Sequence, residues 1–428
     1  MSTTNQPTEK TILKVLHTAD WHLGQSFFGF DRHNEHRHFF AWLLEELLSQ
    51  QPDALIVAGD VFDTVNPSAV AQRQYYDFLA SANNACPNLH IVIVAGNHDA
   101  GSRLEAPQGL LDSLHVSVVG TVSRDEFGAI DLDKFLVPLR EPSGKVQGIV
   151  VAVPFLRPSD VPLVSGGSDS YLDGIREFYR AVTERACLMR DEHCPNVPLI
   201  AMGHCHLSGG DESKDSERRL VIGGAEALSC DVFSEELAYV ALGHLHLPQH
   251  FRDGSIRYSG SPIPLSFSEI NYPHQILRLT FDRSSLDTVD AIIVPRSTQL
   301  LCVPAEGFAP IEVVLLQLSE LKVDSQLSQE EYPFLEIRVL EDQPDPTRRR
   351  KIDQALEGKN LRLASIKVDC PGRRINQEPD ASSKTFQDLR SFQPEDVFLD
   401  AYLDRYGTTP DEAIVTAFRE VLLQESQK

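Results

Sequence analysis

Five short apolar runs in this sequence each lead into Asp, Asn or His residues, and this recurrence constrains the fold more than any other feature. The runs are LKVLH (13–17), ALIVA (54–58), HIVIVA (90–95), PLIAM (198–202) and AYVAL (238–242). The polar motifs that follow are DWH (20–22), GDVFD (59–63), GNHD (96–99), GH (203–204) and GHLH (243–246). Nearly continuous apolar runs of this length predict strands that are buried on both faces, as in parallel sheets.

Helical patterns separate the first three runs. Residues 32–50 carry a broad apolar face, and residues 67–84 begin at a proline suited to a first helical turn. His33, His36 and His38 of the first helix are expected on or near its solvated face. Further strands are expected at 148–153 and 220–224. The resulting β-α-β-α-β order predicts a layered α/β core.

The polar motifs are expected to meet at one edge of the sheet, since ligands bind outside the carboxyl ends of strands in open α/β folds. Asp, Asn and neutral His all offer lone pairs to a divalent cation. In Asp-x-His and His-x-His the two named side chains share one side of an extended chain and can face one ion. Asp60, central among these groups, is suited to bridge two ions.

Each motif taken singly has an ordinary structural explanation. A lone Asp-x-His usually lies on the surface by chance and has no function. A buried His is usually a hydrogen-bonded core residue, and Gly-Asp usually forms a turn. Five such motifs in series at strand ends make coincidence a poor explanation. The sequence therefore predicts a metal centre.

Composition limits the class of protein. The chain has 428 residues, 42% hydrophobic and 24% charged, which predicts a globular protein of two or three domains. The formal net charge of −23 argues against a protein that coats nucleic acid with a basic face. The polar first ten residues and the short apolar runs predict neither a signal peptide nor a membrane helix, so we expect a cytoplasmic protein.

The chain changes character near residue 297, so residues 1–296 are expected to form the main domain. Within 297–370, the alternating strand pattern FLEIRVL (334–340), a helical stretch (346–358) and LRLASIKV (361–368) predict a small β-α-β unit. Residues 371–393 are polar and aperiodic, as in a linker. Residues 394–428 contain two amphipathic stretches, which either fold back on the chain or dock on a partner.

The order of the motifs is similar to that of the calcineurin-like metallophosphoesterases. The stretches LHTADWHLGQSF, VAGDVFDT, VAGNHD, VPFLRP, ALGHLH and YSGSPIPLSFSE resemble, within that superfamily, the SbcD family of nuclease subunits of bacterial SbcCD complexes. The resemblance covers roughly residues 11–295. It implies an α/β core of two stacked mixed β-sheets flanked by helices, a small α+β capping domain, and a C-terminal helical segment that binds a partner.

The resemblance also implies roles for individual residues. One metal ion would be held by Asp20, His22, Asp60 and His246, and a second by Asp60, Asn97, His204 and His244. His98 would assist catalysis without being a ligand, and Asp63 and Asp99 would orient histidines or loops. His206 has no counterpart in the family pattern, so contact with a ligand residue, contact with substrate and a bystander role all stay open for it.

The activity implied is that of a DNA nuclease with two divalent ions, Mn²⁺ being the family's usual activator. Such subunits act as double-strand exonucleases and as endonucleases on single strands and hairpins, in DNA repair and recombination. The implied partners are DNA, a coiled-coil ATPase of the SbcC type that docks on residues 394–428, and a second copy of the chain. The helices after Asp63 and Asp99 would form the homodimer interface within a heterotetramer.

Two other functions compete with this interpretation. A phosphoesterase for small nucleotides or phosphoproteins would use the same chemistry, but protein phosphatases of the superfamily carry Arg directly after Gly-Asp-x-x-Asp. Here Asp63 is followed by Thr64 and Val65. A scaffold with a vestigial metal site is the third alternative, and it is disfavoured because no expected ligand is missing.

Overall fold

The structure is a computed structural model. It describes residues 12–162, 164, 170–213, 227–343 and 345–370, and the single positions Tyr402, Pro410, Val415 and Phe418. The described residues from Ile12 to Asp369 belong to one compact unit. The strand expected at 220–224, the linker at 371–393 and, apart from those four positions, the segment 394–428 lie outside the described residues.

The first sheet has six strands in the order β14-β13-β1-β4-β5-β6. Their bounds are Ser285–Ile293, Gln275–Asp282, Ile12–Thr18, Ala54–Ala58, His90–Val94 and Val116–Val119 in that order. Strands β1, β4, β5 and β6 are parallel, and the β13–β14 hairpin joins β1 in antiparallel orientation. The carboxyl ends of the parallel strands therefore lie at one edge of this sheet.

The second sheet also has six strands, in the order β11-β12-β10-β9-β8-β7. Their bounds are Gln249–Phe251, Ile256–Tyr258, Tyr239–Gly243, Leu199–His204, Val146–Ala152 and Leu136–Arg140 in that order. The four central strands are parallel and the two outer strands are antiparallel to their neighbours. The predicted fold of two mixed sheets is confirmed.

Alternate side chains of the first sheet enter two different cores. Val15 and Ile56 pack against residues of the second sheet such as Ile200, whereas Leu16 and Leu55 pack under helices. This burial of both faces explains why the strand sequences are continuous apolar runs instead of alternating ones. The two sheets are therefore stacked, with helices outside them.

Seven α-helices accompany the sheets in the described part of the chain. They are α1 (His33–Gln50), α2 (Ala69–Ala85), α3 (Gly101–Glu105), α4 (Gln108–Leu111), α5 (Ser170–His193), α6 (Ile311–Glu320) and α7 (Arg348–Leu356). Helices α1 and α2 cover the first sheet and α5 packs against β8. The expected solvated position of His36 is wrong, because this side chain is fully buried and Nε2 lies 2.8 Å from the Trp21 carbonyl oxygen.

The small region after residue 297 contains three parallel strands, β15 (Leu300–Val303), β16 (Phe334–Leu340) and β17 (Arg362–Asp369). Helices α6 and α7 connect them, so the predicted β-α-β unit is extended by one further strand and helix. Val314, Leu318 and Ile337 are among the residues of its own core. We call this region the cap.

An aromatic junction connects the cap to the rest of the unit. The Phe27 ring lies 4.8 Å from Phe334 of the cap and 5.3 Å from Phe267. The buried Arg32 guanidinium lies 4.8 Å above Phe27, and that of Arg362 lies 3.7 Å above Phe334. Phe27 lies in a short hairpin of the main domain, β2 (Ser26–Phe27) and β3 (Phe30–Asp31), and Phe267 begins the 3₁₀ turn Phe267–Glu269. The cap therefore packs directly on these two segments.

Within the described part of the chain, no helix combines the length and apolar character that crossing a membrane requires.

Candidate metal centre

The five polar motifs meet at the carboxyl edge of the parallel strands, and backbone hydrogen bonds connect them. The Asp20 amide donates to the Gly59 carbonyl and the His22 amide donates to the Asp60 carbonyl, both over 3.0 Å. The expected extended backbone is wrong at Asp20 and His22, whose φ angles are +54° and +47°. Asp60 and His244 also have positive φ, at +48° and +104°. Left-handed bends, instead of strand alternation, bring these side chains together, at a conformational cost typical of functional sites.

Two glycines leave room for this convergence. A Cβ on Gly96 would lie 2.1 Å from Asp60 Oδ1, and a Cβ on Gly59 would lie 2.3 Å from His204 Nδ1. Gly59 also has a φ of +91°, which side-chain-bearing residues rarely adopt. The glycines of these motifs therefore permit a close approach of backbone to functional side chains.

Asp20, His22 and His246 form one cluster of metal-ligand atoms. One atom from each lies within 4.8 Å of the others, and all three residues are buried. His22 Nε2 is 3.6 Å from Asp60 Oδ2. Asp20 Oδ2 and His22 Nε2 are buried without a hydrogen-bond partner among the described residues. Buried polar atoms of this kind are costly unless a cation satisfies them.

A second cluster approaches the same carboxylate oxygen of Asp60. His204 Nε2 is 3.3 Å from Asp60 Oδ2 and 2.9 Å from Asn97 Oδ1. His244 Nδ1 is 3.1 Å from the same Asn97 oxygen. The seven residues implied as ligands are thus brought together in two groups that share Asp60.

The protonation of this pocket fits a site for cations. His204 Nδ1 lies 2.9 Å from the Ala58 carbonyl oxygen and donates to it, so Nε2 is the atom that faces Asp60 and Asn97. Burial would lower the pKa of His204, but the Asp60 and Asp20 carboxylates raise it to about 9. Burial raises the pKa of Asp20 to about 7. A group whose pKa is raised in this way releases its proton when it binds a divalent ion, so metal binding at this pocket should depend on pH.

Asp60 is held in its ionised form. Burial opposes the charge, but His204 and then His22 hold the pKa of this carboxyl below its usual range. Its Oδ1 also accepts a hydrogen bond of 2.8 Å from the His98 amide. An ionised carboxylate with one oxygen toward both clusters is what a bridging ligand requires.

Asp63 and Asp99 contact the loops that carry the residues implied as ligands. Asp63 Oδ1 lies 3.2 Å from His22 Nδ1, and its carbonyl accepts a hydrogen bond of 2.7 Å from His98 Nδ1. The buried Asp99 carboxylate accepts three backbone N–H bonds, from Val61, Phe62 and Gly96, over 2.9 to 3.1 Å. It thereby ties the loop that carries Asp60 to the loop that carries Asn97.

Glu269 is a site residue that sequence reasoning missed. Its carboxylate is fully buried, and Oε1 lies 2.9 Å from His246 Nδ1. Oε2 accepts a hydrogen bond of 2.7 Å from the Leu265 amide. Histidine ligands usually donate their second ring N–H to such a carboxylate. Glu269 follows His246 by 23 residues and ends the stretch YSGSPIPLSFSE, in which only the single acid hints at this contact.

His206 lies beside the second cluster. Its ring is 6.3 Å from that of His244, and Nδ1 is 3.4 Å from Glu212. Unlike His204, it is partly exposed.

Comparison with known proteins places the chain in a family. The calcineurin-like phosphoesterase model matches residues 13–248, and the type 5 capsule protein repressor C-terminal domain model matches residues 296–406. The chain is 42% identical over 391 residues to the SbcD subunit of the nuclease SbcCD from Rhodobacter capsulatus, covering 91% of this chain and 94% of that protein. It is 31% identical to the corresponding subunit from Escherichia coli K12, covering 90% and 92% of the two chains. The corresponding subunit from Bacillus subtilis is 34% identical, with 62% of this chain and 65% of that protein covered.

Three findings agree with one another: the Asp/His/Asn pocket is suited to divalent ions, the core is that of a phosphoesterase, and the chain is similar to these nuclease subunits over most of their length. The chain belongs to the calcineurin-like phosphoesterases and, within them, to the SbcD family of metal-dependent nuclease subunits.

Proposed function

We propose that the chain is a Mn²⁺-dependent DNA nuclease that hydrolyses phosphodiesters at a two-ion centre. It would degrade duplex DNA as an exonuclease and cut single strands and hairpins as an endonuclease. The observation that carries the proposal is the convergence of oxygen and nitrogen donors from five strand-end loops on the shared carboxylate of Asp60. The names of the relatives, which are nuclease subunits, support DNA as the substrate.

The two clusters define two sets of ligands that share Asp60. Together with this carboxylate, Asp20, His22 and His246 would hold one ion, and Asn97, His204 and His244 would hold the other. Two divalent ions supply Lewis acidity toward a phosphoryl oxygen and a nucleophilic water at neutral pH. Carboxylate, amide and imidazole donors are compatible with Mn²⁺.

His98 is the residue that we propose to assist the reaction directly. Its Nδ1 donates to the Asp63 carbonyl, which fixes the ring and leaves Nε2 as the atom able to exchange a proton or donate to a phosphoryl oxygen. The ring lies 4.8 Å from that of His22 in an edge-on contact, so it borders the first cluster. Asp63 and Asp99 act as positioning residues through the contacts described above.

The chain would act as part of an SbcCD-type complex. The relatives are named as subunits of SbcCD, and the C-terminal model matches through residue 406. We propose that residues 394–428 dock on an SbcC-type ATPase. A second copy of the chain would pack on the helices after Asp63 and Asp99, where Val65, Val70 and Leu110 expose large apolar side chains.

This complex would act on DNA in the cytoplasm, at the nucleoid, in repair and recombination. The sequence RRRK at 348–351 is a further candidate for contacts with the DNA backbone. Arg348, Arg349 and Lys351 pair with carboxylates of the cap, so we expect this stretch to contribute little to DNA binding.

The test is hydrolysis by the full chain, with and without its ATPase partner, in Mn²⁺. Blunt duplex DNA, hairpin DNA, a cyclic nucleotide and a phosphopeptide are compared, with Asp60→Asn and His98→Ala as inactive controls. We expect DNA cleavage that both substitutions abolish. Turnover of the small substrates without any DNA cleavage would refute the proposal and favour a small-molecule phosphoesterase.

The tail is tested separately. Deletion of residues 394–428 should abolish binding to the ATPase while Mn²⁺-dependent cleavage by the isolated chain persists. Unchanged partner binding would refute this part of the proposal.

A further inference from the structure

The loop after β8 brings an aromatic side chain to the metal centre. The Phe155 amide donates to the Ala95 carbonyl over 2.8 Å, directly before the Gly96-Asn97 motif. The Phe155 ring meets the ring of His204 edge-on, with the centroids 6.4 Å apart and the planes at 82°. Phe155 therefore forms part of the wall of the centre on the side of the second cluster.

An arginine rests on this aromatic ring. The Arg157 guanidinium carbon lies 5.7 Å from the centroid of the Phe155 ring, and the side chain is exposed. The backbone beneath it is fixed, since the Arg157 amide donates to the Asp160 carboxylate and the Asp160 amide donates to the Arg157 carbonyl, both over 2.8 Å. Arg124 binds the carbonyl oxygens of Ser159 and Asp160 from outside the loop. The loop is thus preorganised before any ligand arrives.

The guanidinium of Arg157 has no hydrogen-bond or ion-pair partner among the residues that the structure describes. Arg180, which is also exposed to solvent on α5, is held between Glu177 and Glu184. An exposed guanidinium that has no carboxylate partner among these described residues, at the rim of the proposed phosphodiester site, is available to bind an anion.

We propose that Arg157 binds a backbone phosphate of the DNA strand that occupies the metal centre, on the His204 side of the scissile bond. This inference rests on the proposed DNA nuclease function and deepens it. The Arg157 guanidinium contacts the Phe155 ring, which in turn contacts His204, a residue proposed as a ligand. A separation of two such contacts fits a phosphate roughly one or two nucleotides from the cleaved bond. The planar guanidinium matches phosphate oxygens, and such a contact orients the strand without reading its sequence.

The experiment separates strand binding from the chemistry of the ions. The full chain in Mn²⁺ is assayed on an oligonucleotide and on bis(p-nitrophenyl) phosphate, which has no flanking nucleotide. We expect Arg157→Gln to raise KM for the oligonucleotide about tenfold with kcat nearly unchanged. The decrease in kcat/KM for the oligonucleotide should exceed the decrease in kcat/KM for the small diester by a similar factor. The slope of log(kcat/KM) against log salt should fall by about one.

Two further variants complete the test. Arg157→Lys keeps a point charge without the planar fork and should recover part of the DNA affinity. Arg283→Gln is the matched control, because this exposed arginine lies in the β13–β14 turn, at the opposite edge of the first sheet. It removes the same charge and should leave both activities unchanged.

Three results would overturn the proposal. The first is an unchanged KM and salt slope on DNA in Arg157→Gln, and the second is an equal loss on both substrates, which would mark a structural role of the loop. The third is a wild-type chain that hydrolyses the small diester but not DNA, since this result removes the proposed nuclease function itself.

Discussion

Replacing Glu269 by glutamine should weaken binding of one ion while the other ion is retained. Glutamine keeps the shape of the side chain but turns one of two acceptor oxygens into a donor. In the native protein both oxygens face donors, His246 on one side and the Leu265 amide on the other. No orientation of the new amide satisfies both partners.

The size of the effect follows from the two orientations. If the NH₂ group faces Leu265, one buried backbone donor loses its acceptor, which destabilises the fold by about 1–3 kcal/mol. If it faces His246, Nδ1 must accept a hydrogen bond, so the proton moves to Nε2 and blocks the atom that would bind the ion. Substitution of residues that orient metal ligands typically weakens metal binding roughly 10- to 100-fold, or about 1.4–2.8 kcal/mol.

Calorimetric titration of the metal-free chain with Mn²⁺ measures this directly. The wild type should bind two ions, and in Glu269→Gln the ion assigned to Asp20, His22 and His246 should bind more weakly. Glu336→Gln is the control, because Glu336 is another fully buried glutamate, paired with Arg338 in the cap. It should lower the unfolding temperature without changing either dissociation constant.

Two results would refute this reasoning. Equal affinities of the wild type and Glu269→Gln for both ions would show that Glu269 does not orient His246. An equal weakening in Glu336→Gln would show that the effect reflects general loss of stability.

Three further substitutions test the loops around the centre and the buried His36. Gly96→Ala should abolish binding of Mn²⁺, measured by titration, because its Cβ would collide with Asp60, whereas Gly109→Ala, with open space around it, should bind normally. Asp99→Asn should lower the free energy of unfolding by about 1–3 kcal/mol in urea, since an amide cannot accept all three N–H bonds; an unchanged midpoint would contradict this. Burial lowers the pKa of His36 to about 4, so below pH 6.5 the folded state binds fewer protons than the unfolded state and stability falls as the pH drops toward 4. Between pH 7 and 4.5 the free energy of unfolding should therefore fall by about 2–3 kcal/mol less in His36→Gln than in the wild type. An equal pH dependence of this free energy in the two proteins would contradict the lowered pKa of His36.

The sequence predicted the central strands well. The strands at 54–58 and 334–340 begin and end at the predicted residues, and the two central sheets follow from strands buried on both faces. The convergence of the five polar motifs was predictable for the same reason, since the carboxyl ends of parallel strands lie at one edge of a sheet. Helix α5 and strand β13 were missed although both carry regular apolar spacing, whereas β14 lacks the alternation that would have predicted a strand.

Other features of the site depend on contacts that local patterns do not encode. The positive φ angles of Asp20 and His22 accompany hydrogen bonds to the neighbouring loop, so these side chains converge through left-handed bends and not through the predicted strand alternation. The bond between Glu269 and His246 joins two segments 23 residues apart, the turn Phe267–Glu269 and the loop after β10. Burial of His36 likewise requires the Trp21 carbonyl as an acceptor.

The aromatic junction has a consequence for attempts to dissect or recombine this enzyme. A fragment that stops at residue 296 would retain every proposed ligand yet discard Phe334 and Arg362, leaving Phe27 and Phe267 against water. Phe267 and Glu269 belong to one short turn, so the same cut would release the segment that holds His246. The smallest autonomous catalytic module therefore includes the cap, and a chimera with a cap from another relative needs matching aromatic and arginine residues on both sides of the graft.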